Sequence, residues 1–184
     1  QRIDTRNRVF KAALAEFRRV GVAEARLEPI IDKARVSVGT YYRYFPGKDD
    51  VLLELLRRQM TDLATQIEAK IHGRRIGLRS MLKTTVDLLF DLYRQEDERL
   101  VREIFSLLVR RAPVDVDWVS LPLLQPIIAL LDEERSRGGS RHDDPAELAR
   151  IFFSAILGFL AGMHPDRHRQ AAHEFIDIFL RGIR

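Results

Sequence analysis

Residues 37–48 have the sequence Ser-Val-Gly-Thr-Tyr-Tyr-Arg-Tyr-Phe-Pro-Gly-Lys. Serine is a favoured N-cap residue and proline disrupts a helix interior, so the segment predicts a short helix that ends before Pro46. A second short helix is predicted over Leu27–Ala34, and only Arg35-Val36-Ser37 separates the two. Two short helices joined by such a turn predict a helix-turn-helix, whose second helix enters the major groove of DNA. The alternative is an aromatic cluster in the core of an unrelated helical protein.

The excess positive charge of the chain lies in the same region. The 184 residues carry a net charge of +4. The first 50 residues hold eleven Lys and Arg against seven Asp and Glu, and the remaining residues hold twenty of each. A basic N-terminal module on a neutral body is typical of electrostatic attraction to nucleic acid.

Composition indicates a globular protein and excludes several other classes. Hydrophobic residues make up 46% of the sequence, enough for a sizeable core. No apolar run approaches the ~18–20 residues that cross a bilayer, and no N-terminal signal pattern is present. The chain contains no cysteine, which excludes disulfides and thiolate metal sites. We therefore expect a cytoplasmic protein without a membrane partner.

Apolar residues recur at helical spacing along almost the whole chain, which predicts an all-α fold of about nine helices. The recognition helix is expected over Val38–Phe45, and a long fourth helix is expected to follow Gly47 and end at Ile71. A later helix is predicted over Ser120–Arg137, with a kink at Pro126. Asp144-Pro145-Ala146-Glu147 predicts a capping box at the start of the eighth helix.

Residues 9–55 resemble the DNA-binding domain of the TetR family of transcriptional regulators. The matching positions are Phe10-Lys-Ala-Ala-Leu-Ala-Glu-Phe, Gly21, Val36-Ser37, Gly39-Thr40, Tyr42-Arg43-Tyr44-Phe45-Pro46 and Lys48. The rest of the chain is similar to the family only in the number and length of its helices. The resemblance implies a homodimer whose N-terminal domains, residues 1–47, bind a palindromic operator in double-stranded DNA. It also implies a helical effector-binding and dimerisation domain, residues 48–184, in which a small molecule releases the DNA.

The chemistry of individual side chains agrees with DNA binding. Ser37 and the amides of the first helical turn suit a phosphate, and Lys48 supplies a point charge for another. Gly39 lets the helix backbone approach the groove closely. Base-edge contacts are expected from the side chains at position 38 and positions 40–42. The predicted DNA-binding residues are Arg26, Ser37, Val38, Gly39, Thr40, Tyr41, Tyr42, Tyr44 and Lys48.

Four positions depart from the family pattern. Arg26 stands where threonine usually caps the second helix, and Ile31 stands where a small alanine is preferred. Arg35 replaces a glycine, so it must adopt the left-handed conformation at ~1–2 kcal/mol, or the turn must differ. Val38 replaces a lysine that would contact phosphate. These departures motivate a second hypothesis, a helical ligand-binding protein of the same fold with weakened or absent DNA recognition.

The C-terminal part offers candidates for an effector cavity and for a dimer interface. Five aromatic residues favour an apolar or amphipathic effector, although ordinary core packing explains each one equally well. They are Phe90, Tyr93, Phe105, Trp118 and Phe152. Helices 8 and 9 carry more apolar surface than one subunit covers, which predicts a two-fold four-helix interface, with burial inside the monomer as the alternative. The predicted interface residues are Phe152, Ala155, Phe159, Gly162, Phe175 and Phe179.

No set of residues indicates catalysis, a metal or a cofactor. His164 and His168 share a helix face, but no carboxylate or cysteine completes a metal site with them and His173. We expect these histidines at the surface or at the dimer interface. Asp87 and Asp91 have no nucleophile beside them, which leaves a solvated helix face or a polar anchor in a ligand pocket. We therefore expect no enzymatic activity, no metal and no cofactor.

Overall fold

The computed structural model describes residues 2–71, 76–111, 121–138, 144–161 and 165–183. These residues form nine α-helices and no strand, so the prediction of an all-α fold is confirmed. The helices are α1 (Arg2–Val20), α2 (Leu27–Ala34), α3 (Val38–Tyr44), α4 (Lys48–Ile71), α5 (Leu78–Gln95), α6 (Glu98–Arg111), α7 (Gln125–Ser136), α8 (Pro145–Ala161) and α9 (Pro165–Gly182). In the described part of the chain, no helix is long and apolar enough to cross a membrane.

The starts of two helices correct the predicted capping and bending. α7 begins at Gln125, so Pro126 lies in its first turn, where the missing N–H breaks no helical hydrogen bond, and the predicted kink was wrong. Asp144 caps α8, because its Oδ1 accepts hydrogen bonds from the amides of Ala146 and Glu147 at 2.9 and 3.2 Å. Glu147 hydrogen-bonds Arg150, and this interaction lowers the pKa of Glu147. Its carboxylate is therefore engaged with Arg150 and does not complete the predicted box.

The chain divides into two compact units that differ from the predicted domains. Unit 1 comprises Gln1–Arg57 and Glu96–Val114, and unit 2 comprises Arg58–Gln95 and Asp115–Arg184. The predicted boundary after residue 47 does not coincide with this division. The first turns of α4 and the whole of α6 belong with the N-terminal helices. Arg18 on α1 helps to hold the segment just before α6, since its Nη2 donates to both carboxylate oxygens of Glu96 at 2.8 and 3.1 Å.

The apolar core of unit 1 borders on the buried carboxylate of Glu54. Its largest fully buried side chains include Phe17, Ile30, Phe45 and Leu52. Glu54 is only 4% exposed and accepts two hydrogen bonds from Arg6, at 2.8 and 2.9 Å, and two from Arg57, both at 3.0 Å. A buried charge is tolerated only when it is paired and hydrogen-bonded. These bonds therefore fix the start of α1 against α4.

In unit 2, α5 packs against α7, α8 and α9, and charged side chains join α5 to α9. His173 Nε2 lies 2.9 Å from Asp87 Oδ1, and Arg169 pairs with Asp91. Arg169 also donates to the Asp87 carbonyl at 3.3 Å. The two aspartates thus serve an ion-paired helix contact. Among the described residues, no group of three or more His, Asp or Glu side chains is arranged to hold a metal ion.

Candidate nucleic-acid interface

The recognition helix α3 begins as the sequence predicts. Ser37 has extended backbone angles, φ −78° and ψ 159°, and its Oγ accepts a hydrogen bond from the Thr40 amide at 3.2 Å. The hydroxyls of Ser37 and Thr40 are 3.0 Å apart. The Ser37 side chain therefore satisfies one of the free amides at the helix start, which is the function of an N-cap.

Two aromatic side chains anchor α3 to the core of unit 1. Phe45 is 1% exposed and its ring centre lies 6.3 Å from that of Phe10. Tyr41 is 3% exposed, and burial, with smaller contributions from Tyr42 and Asp50, raises the pKa of its phenol. Because the Tyr41 ring is enclosed, it does not reach a base edge. The structure therefore gives Tyr41 a packing position instead of the predicted DNA contact.

The opposite side of α3 is exposed. Val38 and Tyr42 are 47% and 50% exposed, which is unusual for large apolar side chains, and Gly39 and Arg43 are also exposed. Thr40 and Tyr44 are half-buried at the edge of this face. The expectation of an outward-facing helix surface agrees with this arrangement for every predicted α3 residue except Tyr41.

The turn before α3 contains a left-handed arginine. Arg35 has φ 52° and ψ 55°, and it is the only residue other than glycine with a positive φ in the described ranges. Its amide donates to the Asp32 carbonyl and the Val36 amide donates to the Ile31 carbonyl, both at 3.1 Å. This pattern is a Schellman motif, in which glycine is usual at the position of Arg35. The predicted strain is therefore present in the turn. Arg26, also as predicted, makes no side-chain capping bond at the start of α2.

An open groove of about 460 Å³ runs beside α3 in unit 1. Its walls are formed by Thr5, Arg35, Val36, Ser37, Thr40, Arg43 and Tyr44. Two arginines face the groove and no carboxylate lines it. Within the described residues, no carboxylate pairs with either arginine, whereas the arginines at positions 6, 18, 19 and 57 are all paired. The groove is thus a concentration of uncompensated positive charge.

Arg35 and Arg43 were not among the predicted DNA-binding residues. The signal for Arg43 is present in the sequence, because it lies two residues from each of the apolar positions 41 and 45 and therefore on the opposite side of a helix. The position of Arg35 depends on the turn geometry, which the sequence left open.

Lys48 makes contacts that the sequence did not predict. Its Nζ donates to the backbone carbonyls of Val22 and Ala23 at 2.7 and 2.8 Å. Two of its three N–H bonds are therefore used to tie the start of α4 to the loop after α1. The predicted phosphate contact has at most the third N–H available, so Lys48 is first a structural link within unit 1.

The structure also separates the candidates for the effector site. Phe90 and Phe152 are buried in unit 2 and Tyr93 is half-buried there, whereas Phe105 lies on α6 in unit 1. Trp118 lies outside the described residues.

The predicted dimer residues differ in exposure. Phe152 and Phe179 are 0% and 7% exposed, and their ring centres are 5.3 Å apart within the unit. They are buried behind the face that α8 and α9 form together. Ala155, Phe159 and Phe175 are half-buried on that face, and Gly162 lies outside the described residues.

Together, the capped α3, the turn before it and the basic groove define a helix-turn-helix protein. Comparison with known proteins agrees with this classification. Residues 9–55 match the family model described as bacterial regulatory proteins, tetR family. The HTH-type transcriptional repressor SCO4008 of Streptomyces coelicolor is 38% identical over 63 residues, which are 34% of this chain and 33% of that protein. HTH-type transcriptional regulator BetI 2 of Chromohalobacter salexigens is 39% identical over 68 residues, 37% of this chain and 33% of that protein.

These matches span about a third of the length of both curated relatives. A similarity over nearly the whole chain comes from a solved structure, the TetR-family repressor FadR of Thermus thermophilus in complex with lauroyl-CoA. It is 25% identical, has a TM-score of 0.70, and the match covers 96% of this chain and 93% of that one. Residues 9–55 are thus similar to the DNA-binding domain of TetR-family transcriptional regulators, and the likeness to the Thermus thermophilus repressor extends the TetR-like fold over nearly the whole chain.

We expect Lys48→Met to lower the free energy of unfolding by about 1–2 kcal/mol, because the Val22 and Ala23 carbonyls lose a charged hydrogen-bond donor. Urea denaturation followed by circular dichroism measures the change. Lys11→Met removes an exposed lysine from α1 and should alter stability by less than about 0.5 kcal/mol. Equal effects of the two substitutions would contradict the structural role of Lys48.

Proposed function

We propose that this protein is a cytoplasmic transcriptional repressor that binds a palindromic operator as a homodimer and is released by a small effector. The unpaired basic groove beside the exposed face of α3 is the observation that carries the proposal. According to this proposal, unit 1 is the DNA-binding domain and unit 2 binds the effector and the second subunit. Two α3 helices about 34 Å apart would enter successive major grooves.

Arg35 supports a phosphate contact through its backbone conformation. A left-handed arginine costs about 1–2 kcal/mol, and glycine would adopt the same conformation without that cost. Strain of this kind is often found at functional sites. The Arg35 side chain lines the groove with Ser37 and Thr40, and no carboxylate in the described part of unit 1 neutralises it. Its charge is therefore available to the DNA backbone.

We expect Arg35→Gly to raise stability and weaken DNA binding. Relief of the left-handed strain, partly offset by the greater freedom of glycine in the unfolded chain, should stabilise the protein by up to about 1 kcal/mol. Binding to an operator selected from random DNA should weaken. The slope of log affinity against log salt should become shallower by about 0.9 for each phosphate that the variant no longer neutralises. Urea denaturation and fluorescence anisotropy at several salt concentrations measure the two effects.

Arg102→Ala is the matched control, because it removes the same charge from an exposed position on α6. It should leave the salt slope unchanged. A slope that Arg35→Gly also leaves unchanged would remove Arg35 from the interface.

The engagement of Lys48 with backbone and the replacement of a family lysine by Val38 favour a second candidate, a ligand-binding protein with little DNA recognition. Affinity that is weak for every selected sequence and hardly changes with salt would favour that candidate.

The outward face of α8 and α9 supports the proposed homodimer. Ile151 and Ile178 are 46% and 63% exposed, and half-buried Phe159 and Phe175 lie beside them with ring centres 5.8 Å apart. Gly158 is exposed on the same face. Large apolar side chains at such exposure favour burial against a second subunit. An isologous contact would bring this face against its own copy.

We expect Ile178→Arg to weaken the dimer at least about tenfold, because each subunit would bring an unpaired charge into an apolar interface. Sedimentation velocity over a range of concentrations measures the dissociation constant. Val109 is 78% exposed on α6 in unit 1, so Val109→Arg makes the same change outside the proposed face. Dimerisation that survives in both variants would place the interface elsewhere.

The interior of unit 2 supports the proposed effector. Thr85 on α5 is 0% exposed, and its Oγ1 has no hydrogen-bond partner among the described residues. Leu82, Val86 and Leu89 surround it along the same helix and are buried. A buried hydroxyl without a partner is destabilising unless a ligand supplies one. We therefore propose an apolar or amphipathic effector with a polar atom that hydrogen-bonds Thr85.

α4 contributes residues to both units, and we propose that it transmits effector binding to the DNA-binding helices. Because coupling between two sites is reciprocal, an effector that weakens DNA binding must itself bind less tightly to the DNA complex. Lauroyl-CoA is the first probe, since the similar Thermus thermophilus protein was solved with it.

We expect Thr85→Val to stabilise the free protein by up to about 1 kcal/mol, because the unpaired hydroxyl is replaced by a methyl group of similar shape. The same substitution should reduce the thermal shift produced by an effector such as lauroyl-CoA. Differential scanning fluorimetry measures both quantities. An effector that shifts the wild type and Thr85→Val equally would contradict the contact with Thr85.

A further inference from the structure

The geometry of α3 points to the side chain that reads the operator. Tyr41 and Phe45 are buried and define the inner side of the helix. Successive residues turn by about 100° around a helix, so Arg43 lies roughly opposite these two anchors. Gly39 lies one turn before Arg43 on the same outer side. Val38 and Tyr42 form one flank of this outer face, and both are about half exposed.

The helix surface at Gly39, one turn before Arg43, is open. Gly39 has no side chain, and a Cβ added there would meet no heavy atom within 4 Å. Long side chains on a helix tend to incline toward its N-terminus, so the open surface at Gly39 is within the range of an Arg43 side chain that moves toward a base. The guanidinium carbon is 5.6 Å from the ring centre of Tyr44, which limits the directions it can take. No carboxylate of the described residues holds it back.

The composition of α3 leaves few other ways to read a base. The helix is Val-Gly-Thr-Tyr-Tyr-Arg-Tyr, without asparagine, glutamine, lysine, aspartate or glutamate. Arginine donates two parallel hydrogen bonds to O6 and N7 of guanine, whereas small apolar groups contact the methyl group of thymine. Arg43 is therefore the side chain of α3 suited to bidentate recognition. Val38 offers an apolar contact beside it.

We propose that each operator half-site contains a guanine read by Arg43 and a nearby thymine whose methyl group contacts Val38. This inference rests on the proposed DNA-binding function and specifies its sequence preference. Arg35 differs in role, since it faces the groove from the turn before α3 and contributes phosphate binding without base choice. Of the two arginines of the groove, Arg35 thus contributes to affinity and Arg43 to sequence specificity.

The test uses the full-length protein and an operator selected from random DNA. Each guanine of one half-site is replaced in turn by 7-deazaguanine, which lacks the N7 acceptor, and each thymine by deoxyuridine, which lacks the methyl group. For the wild type, one 7-deazaguanine should reduce affinity at least about fivefold, the low end of the discrimination that a bidentate pair gives. One deoxyuridine should reduce it about fourfold, as expected for a buried methyl group.

The variants identify the side chains that read these bases. Arg43→Ala should bind more weakly and should no longer distinguish guanine from 7-deazaguanine at the sensitive position. Val38→Ala should lose the sensitivity to deoxyuridine and keep the sensitivity to 7-deazaguanine. Arg102→Ala, which removes an exposed α6 arginine, should retain both sensitivities.

Four results would overturn the inference. A selected half-site without guanine, or an equal loss with 7-deazaguanine in the wild type and Arg43→Ala, would remove Arg43 as the base reader while DNA binding stands. An unchanged response of Val38→Ala to deoxyuridine would remove the methyl contact. Absence of any sequence-selective binding would reject both this inference and the proposed function.

Discussion

The recognition helix is too short to be stable alone, and this constraint organises unit 1. α3 has seven residues, whereas isolated helices shorter than ~12–15 residues are marginal in water. Burial of Tyr41 and Phe45 and the cap at Ser37 supply the missing stability. Since Tyr41 and Phe45 provide the buried contacts of the helix, its exposed positions are available for the proposed contact with DNA.

Arginine has two distinct uses in unit 1. Arg6 and Arg57 surround the buried carboxylate of Glu54, and the guanidinium carbon of Arg6 lies 5.2 Å from the ring centre of Phe45. Their charges are used in the core contact that supports α3 from below. Arg35 and Arg43 face the groove, and no carboxylate of the residues that the structure describes lines it with them. Arg35 and Arg43 therefore place part of the positive charge of the N-terminal region on the face that carries the proposed function.

Local signals in the sequence were sufficient for most of the fold. The Ser37 cap and the helix periodicity depend on neighbouring residues and were predicted, and a left-handed Arg35 was one of the two alternatives that the sequence left open. Tertiary partners were not predictable in this way. Lys48 bonds to carbonyls 25 and 26 residues away, so its sequence position suggested only a free charge. Tyr41 was wrongly expected to face outward, because three tyrosines within four positions obscure which one is the anchor.

The same limit explains the dimer and effector residues. Phe152 is apolar like its neighbour Ile151, and only the packing of α8 on α9 shows that Phe152 is buried while Ile151 is 46% exposed. Features of the structure that lower its stability say more about function than well-packed residues do. A left-handed arginine, a helical glycine beside open space and a buried unpaired hydroxyl each cost stability without an internal gain. Arg35 and Gly39 lie where we propose that DNA binds, and Thr85 lies where we propose that an effector binds, so the proposed contacts would give each of the three features a function.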